Sequence, residues 1–310
     1  MQAIRQTAPY VRKDTSTKSM MIDVLVALLP VVIFAIFRFK TDFIFRALLS
    51  VGLAVAIEAV AFALMKEKNE TLKARFKNKY TINNIVPPII TGLIFVLTVP
   101  SKASYILVAV GISVAMIIGK MIFGGLGKNV FNPAGLGRAF VALAMGGLMG
   151  SYIGIDGSSG STALGDGTYT ILQLFLGQIP GSMGEISALA IILGGIYLLV
   201  RRSADFRVIV SSLLTFSLIM LSGIIGKGVV GTEIFKQLLI QILSGGLLFG
   251  VVFMATDPVT SPYTRPGRII FGSIIGVLVA VIRLFGSLPE GMVFALLIAN
   301  AFVALIDYKR

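Results

Sequence analysis

Histidine, cysteine and tryptophan are all absent from this 310-residue chain. Without cysteine there is no disulfide, no iron–sulfur cluster and no thiol nucleophile. Without histidine the usual haem ligand, the commonest zinc ligand and the usual general base are missing. Triad and zinc hydrolysis are therefore almost excluded, and any electron transfer must run through an organic cofactor. Charge is scarce as well: Asp, Glu, Lys and Arg make up 13% of the residues, against roughly 25% in soluble proteins. Hydrophobic residues make up 56%, more than two soluble domains of this total length can hide. The composition implies a lipid-embedded protein.

Ten apolar runs stand out: Met21–Phe37, Phe43–Met65, Ile85–Val99, Tyr105–Ile122, Ala134–Met149, Ile186–Val200, Val208–Ile225, Leu238–Ala255, Ile269–Phe285 and Met292–Ile306. Backbone in hydrocarbon must satisfy its own hydrogen bonds, so these runs are expected to be helices. The predicted class is an all-α polytopic membrane protein with about ten transmembrane helices. The polar start carries Arg5, Arg12, Lys13 and Lys18 and no cleavage site before the first run, so no removable signal peptide is expected.

The net charge is +13. Most basic residues flank apolar runs, as anchors facing anionic lipid do, which argues against nucleic acid. With both termini cytoplasmic, 20 of the 27 Lys and Arg residues fall on the inner side; Arg38, Lys40, Arg46, Lys102, Lys227, Lys236 and Arg283 fall outside. That bias sets the expected orientation. The stretch Met149–Val200 has no Lys or Arg, is rich in Gly, Ser and Thr, and contains Asp156, Asp166 and Glu185. It is expected to face outward as the longest connection, with a short interfacial helix at Leu172–Leu176. Long connections often carry function. The resulting organisation is an N-terminal segment (1–20), a first membrane half of five helices (21–150), an outer loop (151–185), a second half of five helices (186–306) and a short inner tail (307–310).

Five helices per half place the halves in opposite orientations. Thr91–Ser101 (TGLIFVLTVPS) and Gly245–Ser261 (GGLLFGVVFMATDPVTS) echo one another in the third and eighth runs. Paired Gly/Pro-interrupted segments in matching places point to a midplane site of an inverted repeat. The layout also occurs in urea-transporter-like folds. It therefore leaves open a solute channel or secondary transporter without redox activity.

Four features could carry chemistry. The outer loop contains Asp156-Gly157-Ser158-Ser159-Gly160-Ser161-Thr162-Ala163, a glycine-rich turn whose terminal hydroxyl could be esterified; by composition alone it is a polar linker. Asn132-Pro133 reads as an N-cap with Pro at the first helical position, a plain capped helix or a re-entrant half-helix whose dipole faces an anion or a bound carbonyl group. Asp257-Pro258 reads as an Asx turn, or as a carboxylate near membrane depth that bonds a ligand ring or a cation. Glu58 lies about 6 Å along the axis from the middle of its run; intramembrane carboxylates suggest ion coupling, against a structural pair with Lys120 or Arg138. Asp23 reads as an interfacial cap, and the segment 66–79 as an amphipathic surface on lipid or a partner.

The octet resembles the flavinylation motif of the NqrB/RnfD family, D-x-x-S/T-G-A-T. Ser161 stands where that motif has Ala, and Thr162 where it has the modified threonine. The opening Ala8-Pro9-Tyr10-Val11-Arg12, the segment Met21–Pro30, Phe131-Asn132-Pro133-Ala134 and Phe253–Thr260 resemble further signatures of the family, in family order. The family often has His at the place of Tyr10. The short segment before the first run resembles the RnfD branch. The resemblance implies FMN joined through a phosphoester to Thr162, with Asp156, Ser159, Gly160 and Ser161 around it. It allows a second, noncovalent flavin such as riboflavin, for which Asn132 and Asp257 are the candidate contacts. It implies a subunit of the Rnf complex of the inner membrane, which passes electrons between ferredoxin and NAD and couples this to Na⁺ or H⁺ movement, with RnfA, RnfB, RnfC, RnfE and RnfG as partners. A chain lacking Cys and His agrees, since electrons could cross it only on a bound cofactor.

Overall fold

A computed structural model describes residues 17–64, 80–150, 152–153, 159–160, 164, 169–286 and 291–308. Each of the ten apolar runs is helical: α1 (Thr17–Phe39), α2 (Thr41–Leu64), α3 (Ile82–Leu97), α4 (Tyr105–Met116), α5 (Pro133–Ala144), α6 (Ile171–Leu176), α7 (Ala188–Val200), α8 (Phe206–Gly226), α9 (Thr232–Leu243), α10 (Leu247–Phe249), α11 (Arg265–Phe285) and α12 (Met292–Asp307). Of these, α6 is the predicted short helix of the outer connection, started by Thr170, whose side chain accepts from Gln173 N, and stopped by Gly177 in the left-handed region. Two-residue strands β1 (Tyr152–Ile153) and β2 (Ser159–Gly160) pair antiparallel within that connection.

Four helices, α1, α2, α8 and α11, are long and apolar enough to cross a membrane. The eighth run, read as continuous from Leu238 to Ala255, is instead two helices bent by 56°. Gly245 and Gly246 make the break with φ of +67° and +71°, a region that favours glycine. Five further apolar helices are shorter. Large apolar side chains such as Phe45, Leu48, Leu214 and Leu218 lie more than half exposed along the long helices. A surface of this kind calls for cover by lipid or by a partner protein.

Small residues let the helices approach closely. A Cβ on Gly272 would overlap Ser211 Oγ, and one on Gly276 would overlap Thr215 Oγ1. These glycines, four apart on α11, bring it against α8, the small-xxx-small pattern of membrane helix pairs. In the other half, a Cβ on Gly137 of α5 would lie 2.5 Å from the Gly111 carbonyl of α4.

Polar contacts define two opposite ends. At one end Lys102 pairs with Asp42 at 2.8 Å, and Arg46 donates from Nε to Ala103 O at 2.7 Å with its guanidinium over the Tyr105 ring. At the other, Asp23 accepts from Ser203 Oγ (2.6 Å), Arg201 Nε (3.0 Å) and Tyr197 OH (3.2 Å). Asp23 is thus not the interfacial cap its position suggested. It is buried inside α1 and ties that helix to the end of α7. Nearby, Asp205 accepts from Arg207 N at 2.8 Å and pairs with Arg268. Burial pushes its carboxyl up, but the Arg207 amide and the Arg268 guanidinium outweigh burial and hold it below the usual carboxylate range. Asp307, at the end of α12, accepts from Tyr263 N and Thr264 Oγ1.

The basic residues also correct the anchor reading. Lys120 and Arg138, counted with the inner segments, are only 2% and 5% exposed and bond inside the protein. Their charges serve buried partners, so a count along the sequence overstates the lipid-facing anchors.

Candidate functional site

The helix breaks converge. Pro133 opens α5, and Asn132 caps it by accepting from Gly135 N at 3.0 Å. The Asn132 side chain also donates from Nδ2 to Met254 O at 3.4 Å, at the end of the π-helical turn Gly250–Met254 that continues α10. The Asn132 backbone N–H donates to Asn300 Oδ1 at 3.1 Å, and Asn300 Nδ2 donates to Thr260 O at 3.0 Å. Thr260 Oγ1 in turn donates to Asp257 Oδ2 at 3.1 Å, while Asp257 Oδ1 accepts from Val259 N at 3.1 Å. Asn132 and Asp257, 125 positions apart in sequence (257 − 132), therefore lie at two ends of one hydrogen-bond chain. Asp257 makes the Asx turn its sequence suggested. Asn300, 1% exposed, was not singled out from the sequence. A lone Asn in an apolar run is a weak signal, but burial in such a run demands partners.

The end of α3 is held by a second set of contacts. Arg138 on α5 donates from Nε to Thr98 O at 2.7 Å, so Arg138 serves this helix end rather than Glu58. A cation there suits the negative end of the helix dipole. Gly184 N donates to Leu97 O at 2.7 Å and Met183 N to Val99 O at 3.1 Å. The segment 179–188 is non-helical up to Ser187 and buried throughout. That corrects its reading as outer loop. Pro, Gly and Ser resemble a solvated linker in composition, yet this backbone fills the space at the end of α3. Irregular backbone in a membrane protein is tolerated away from water only where protein or a cavity surrounds it. Glu185 within it is 7% exposed, and a Cβ on Gly246 would meet its Oε1 at 2.6 Å. The segment thus touches both breaks, at Leu97–Val99 and at Gly245–Gly246.

Glu58 faces the bundle interior. Its Oε2 accepts from Lys120 Nζ at 2.7 Å, with the two side chains 8% and 3% exposed. Lys120 sits in the π-helical turn Ile117–Met121 at the end of α4, closed by Ile122 N donating to Ile117 O at 3.0 Å. Such turns inside α-helices frequently occur at functional sites. Gly119 of the same turn lies against Pro133, where a Cβ would meet the proline Cα at 3.0 Å. The ion pair therefore neighbours the Asn132 break.

Asp156, Ser161 and Thr162 lie outside the described residues, as do the segments 1–16 and 65–79. Of the motif, the backbone of Ser159 and Gly160 pairs with Ile153 and Tyr152. Leu164, two positions beyond Thr162, presses on the break between α9 and α10, where a Cβ on Gly245 would overlap it.

Ten apolar runs folded as helices, a lipid-exposed surface and buried broken helices define a polytopic membrane protein of the all-helical class. Its sequence matches the model of the NQR2, RnfD, RnfE family over residues 4–310, and the chain belongs to that family. It is 35% identical over 335 aligned positions to the D component of the ion-translocating oxidoreductase complex of Stutzerimonas stutzeri, covering 94% of this chain and 90% of that protein. It is 39% identical to the B component of the Na⁺-translocating NADH-quinone reductase of Pseudomonas paraeruginosa, over 71% of this chain. The corresponding component in Neisseria meningitidis is 35% identical over the same share. The matches cover 58% of the length of those two reductase components.

Proposed function

We propose that this chain is the flavin-carrying membrane subunit of an Rnf-type complex, relaying electrons between ferredoxin and NAD in step with Na⁺ or H⁺ movement. The observation that carries this reading is the octet Asp156–Ala163 in a chain of the NQR2, RnfD, RnfE family. FMN is carried on Thr162 through a phosphoester, with Asp156, Ser159, Gly160 and Ser161 around the attachment. The residues fit such a group: a threonine hydroxyl accepts the phosphate, glycine allows close approach, and Leu164 lies on the rim of an open pocket. Bound flavin supplies the one- and two-electron chemistry that no side chain here can supply, and the chain supplies attachment and surroundings.

The same reading places two inverted sets of five helices in the inner membrane, as in urea-transporter-like folds, with both termini cytoplasmic and the flavin loop outside. The breaks after α3 and after the α10 turn, in corresponding places, support it. So does the grouping of Asp42, Lys102 and Tyr105 at one end and Asp23, Asp205 and Asp307 at the other. RnfA, RnfB, RnfC, RnfE and RnfG are the expected partners. The Asn132–Asn300–Asp257 chain is the proposed seat of a noncovalent flavin such as riboflavin, and the Glu58–Lys120 pair the proposed point of ion coupling.

The test is the intact mass of the full chain purified from cells that flavinylate it. Thr162→Ala is expected to lose one FMN-sized increment and its in-gel flavin fluorescence. An adduct retained in Thr162→Ala moves the attachment, with Ser161 next. A parent chain without flavin favours a channel or transporter.

A further inference from the structure

The end of the protein that holds Asp23 and Asp205 carries more positive charge than its own acids absorb. The turn between α7 and α8 and the start of α11 supply Arg201, Arg202, Arg207, Arg265 and Arg268. Arg201 pairs with Asp23, and Arg207 and Arg268 share Asp205. Asp307, beside the start of α11, accepts from Tyr263 N and Thr264 Oγ1. Five arginines against these three aspartates leave two positive charges (5 − 3). Arg202 and Arg265 are the two that are exposed with no ion-pair partner among the described residues. Each stands three residues from one member of the Asp205–Arg268 pair (205 − 202 and 268 − 265), so that pair draws them into one patch. The backbone singles out Arg202. Its N–H donates to Leu199 O at 3.1 Å, and Ser203 N donates to Leu198 O at 2.9 Å. These two bonds close a helix around a left-handed residue that is usually glycine. Here the residue is Arg202, at φ +58°. A Cβ meets a steric cost in that region. Glycine would make the same turn without it, and the arginine contributes an exposed cation there.

An apolar stripe runs from this patch along α8. Phe206, Val210, Leu214 and Leu218 recur every four residues, and each is more than half exposed. Twelve residues at about 1.5 Å each make the stripe about 18 Å long, close to half of a hydrocarbon core roughly 30 Å thick. Ile269 and Ile270, at the start of α11, are nearly half exposed as well. We propose that this face seats one anionic glycerophospholipid, with its phosphate between Arg202 and Arg265 and an acyl chain along Phe206–Leu218. The match is in charge and in length. Two unpaired cations stand at one end of an apolar stripe one leaflet long, the layout of a single lipid with a net negative headgroup. A zwitterionic headgroup brings an ammonium of its own, which the two arginines repel, so the patch selects by headgroup charge. A partner helix would cover the stripe but would leave both cations unanswered unless it carried acids at the same level. The seat goes beyond the redox reading and does not depend on it.

The absence of tryptophan from the chain allows a single reporter. Leu214→Trp places an indole midway along the stripe, at a residue already 58% exposed. The full chain is reconstituted into equal mixtures of phosphatidylglycerol and phosphatidylcholine with the same acyl chains, and only one of the two lipids carries bromine on those chains. Bromine quenches an indole that it touches. Brominated phosphatidylglycerol is expected to quench several-fold more than brominated phosphatidylcholine. Adding Arg202→Gln and Arg265→Gln is expected to bring the two lipids to equality. Adding Lys40→Gln and Lys227→Gln instead removes the same charge from exposed residues elsewhere, Lys227 lying at the opposite end of α8, and is expected to leave the preference intact. Equal quenching by the two lipids in Leu214→Trp alone overturns the seat and leaves the patch to an acidic partner protein. Equal loss of preference in both charge variants overturns the assignment to Arg202 and Arg265.

Discussion

Lys120 Nζ lies 2.7 Å from Glu58 Oε2, and both side chains are under a tenth exposed. The pair joins α2 to the π-helical turn after α4, and both side chains are buried in the protein. Two charges so placed stabilise one another only as a pair, because each alone meets the desolvation penalty uncompensated.

Glu58→Gln is therefore expected to destabilise the protein by about 3–5 kcal/mol, the usual cost of stranding one member of a buried pair. The double variant Glu58→Gln/Lys120→Met removes both charges and is expected to recover most of that loss. Thermal unfolding in detergent, followed by circular dichroism, reads both. If the double variant is no more stable than the single one, the pair is not the reason Glu58 is tolerated. In the assembled complex, wild-type cation dependence of the double variant would also remove Glu58 from ion coupling.

Asn300 joins the two helix breaks, accepting from Asn132 N and donating to Thr260 O. Asn300→Leu keeps the branching at Cγ and leaves both buried backbone groups without that partner, at roughly 1–3 kcal/mol each. Asn300→Asp restores the acceptor for Asn132 N and is expected to recover only part. Unfolding midpoints in the order parent, Asp, Leu are the expected outcome. Equal stability of parent and Leu would show that water replaces the bridge.

The helices are legible in the sequence because lipid makes a long apolar run nearly synonymous with a helix. The breaks are only partly so. Asn132-Pro133 and Asp257-Pro258 announce themselves, since Pro after a capping residue has few other readings. Ser244-Gly245-Gly246 gives no such signal inside the eighth run, because glycine is common in membrane helices and its left-handed φ appears only in three dimensions. The segment 179–188 misleads for a related reason: its composition is that of a surface linker, and only the packing of Met183 and Gly184 on α3 shows it buried. Sequence offers Lys120 and Arg138 as equal partners for Glu58. The structure divides them, because Arg138 faces the Thr98 carbonyl.

Asp205 predicts a pH dependence. Its carboxyl is held below the ordinary range chiefly by the Arg207 amide and the Arg268 guanidinium, against burial. A depressed carboxylate stabilises the fold above its unfolded pKa of about 3.9 and loses that contribution as pH falls through the lower folded value. The stability of the parent is thus expected to fall below about pH 4. Asp205→Asn should be less stable at neutral pH and show a shallower decline in that acid window. The same acid slope in both proteins would assign the loss to groups other than Asp205.

Arg283 predicts where the broken eighth helix opens. Its guanidinium donates to the carbonyls of Ser244 (3.1 Å) and Gly245 (2.9 Å), and to that of Gln241. Those oxygens end α9 where Gly245 turns the chain, and no following amide of the helix can reach them. Arg283 also lies over the Phe216 ring at 5.1 Å, which fixes the guanidinium between α8 and the break. A planar fork can serve several carbonyls at once, whereas a lysine ammonium is a single point charge. Arg283→Met is expected to strand the carbonyls, and Arg283→Lys to restore only part of the clamp. Each hydrogen bond to a charged group contributes about 1.5–3 kcal/mol, so the loss should be local and large. Hydrogen exchange by mass spectrometry should show faster exchange over residues 241–250 in Arg283→Met, a smaller effect in Arg283→Lys, and little change in α1. Uniform acceleration across the chain would mean that Arg283 supports the whole bundle. Unchanged exchange at 241–250 would mean that the break is held by Glu185 and Leu164 packing against Gly246 and Gly245 instead.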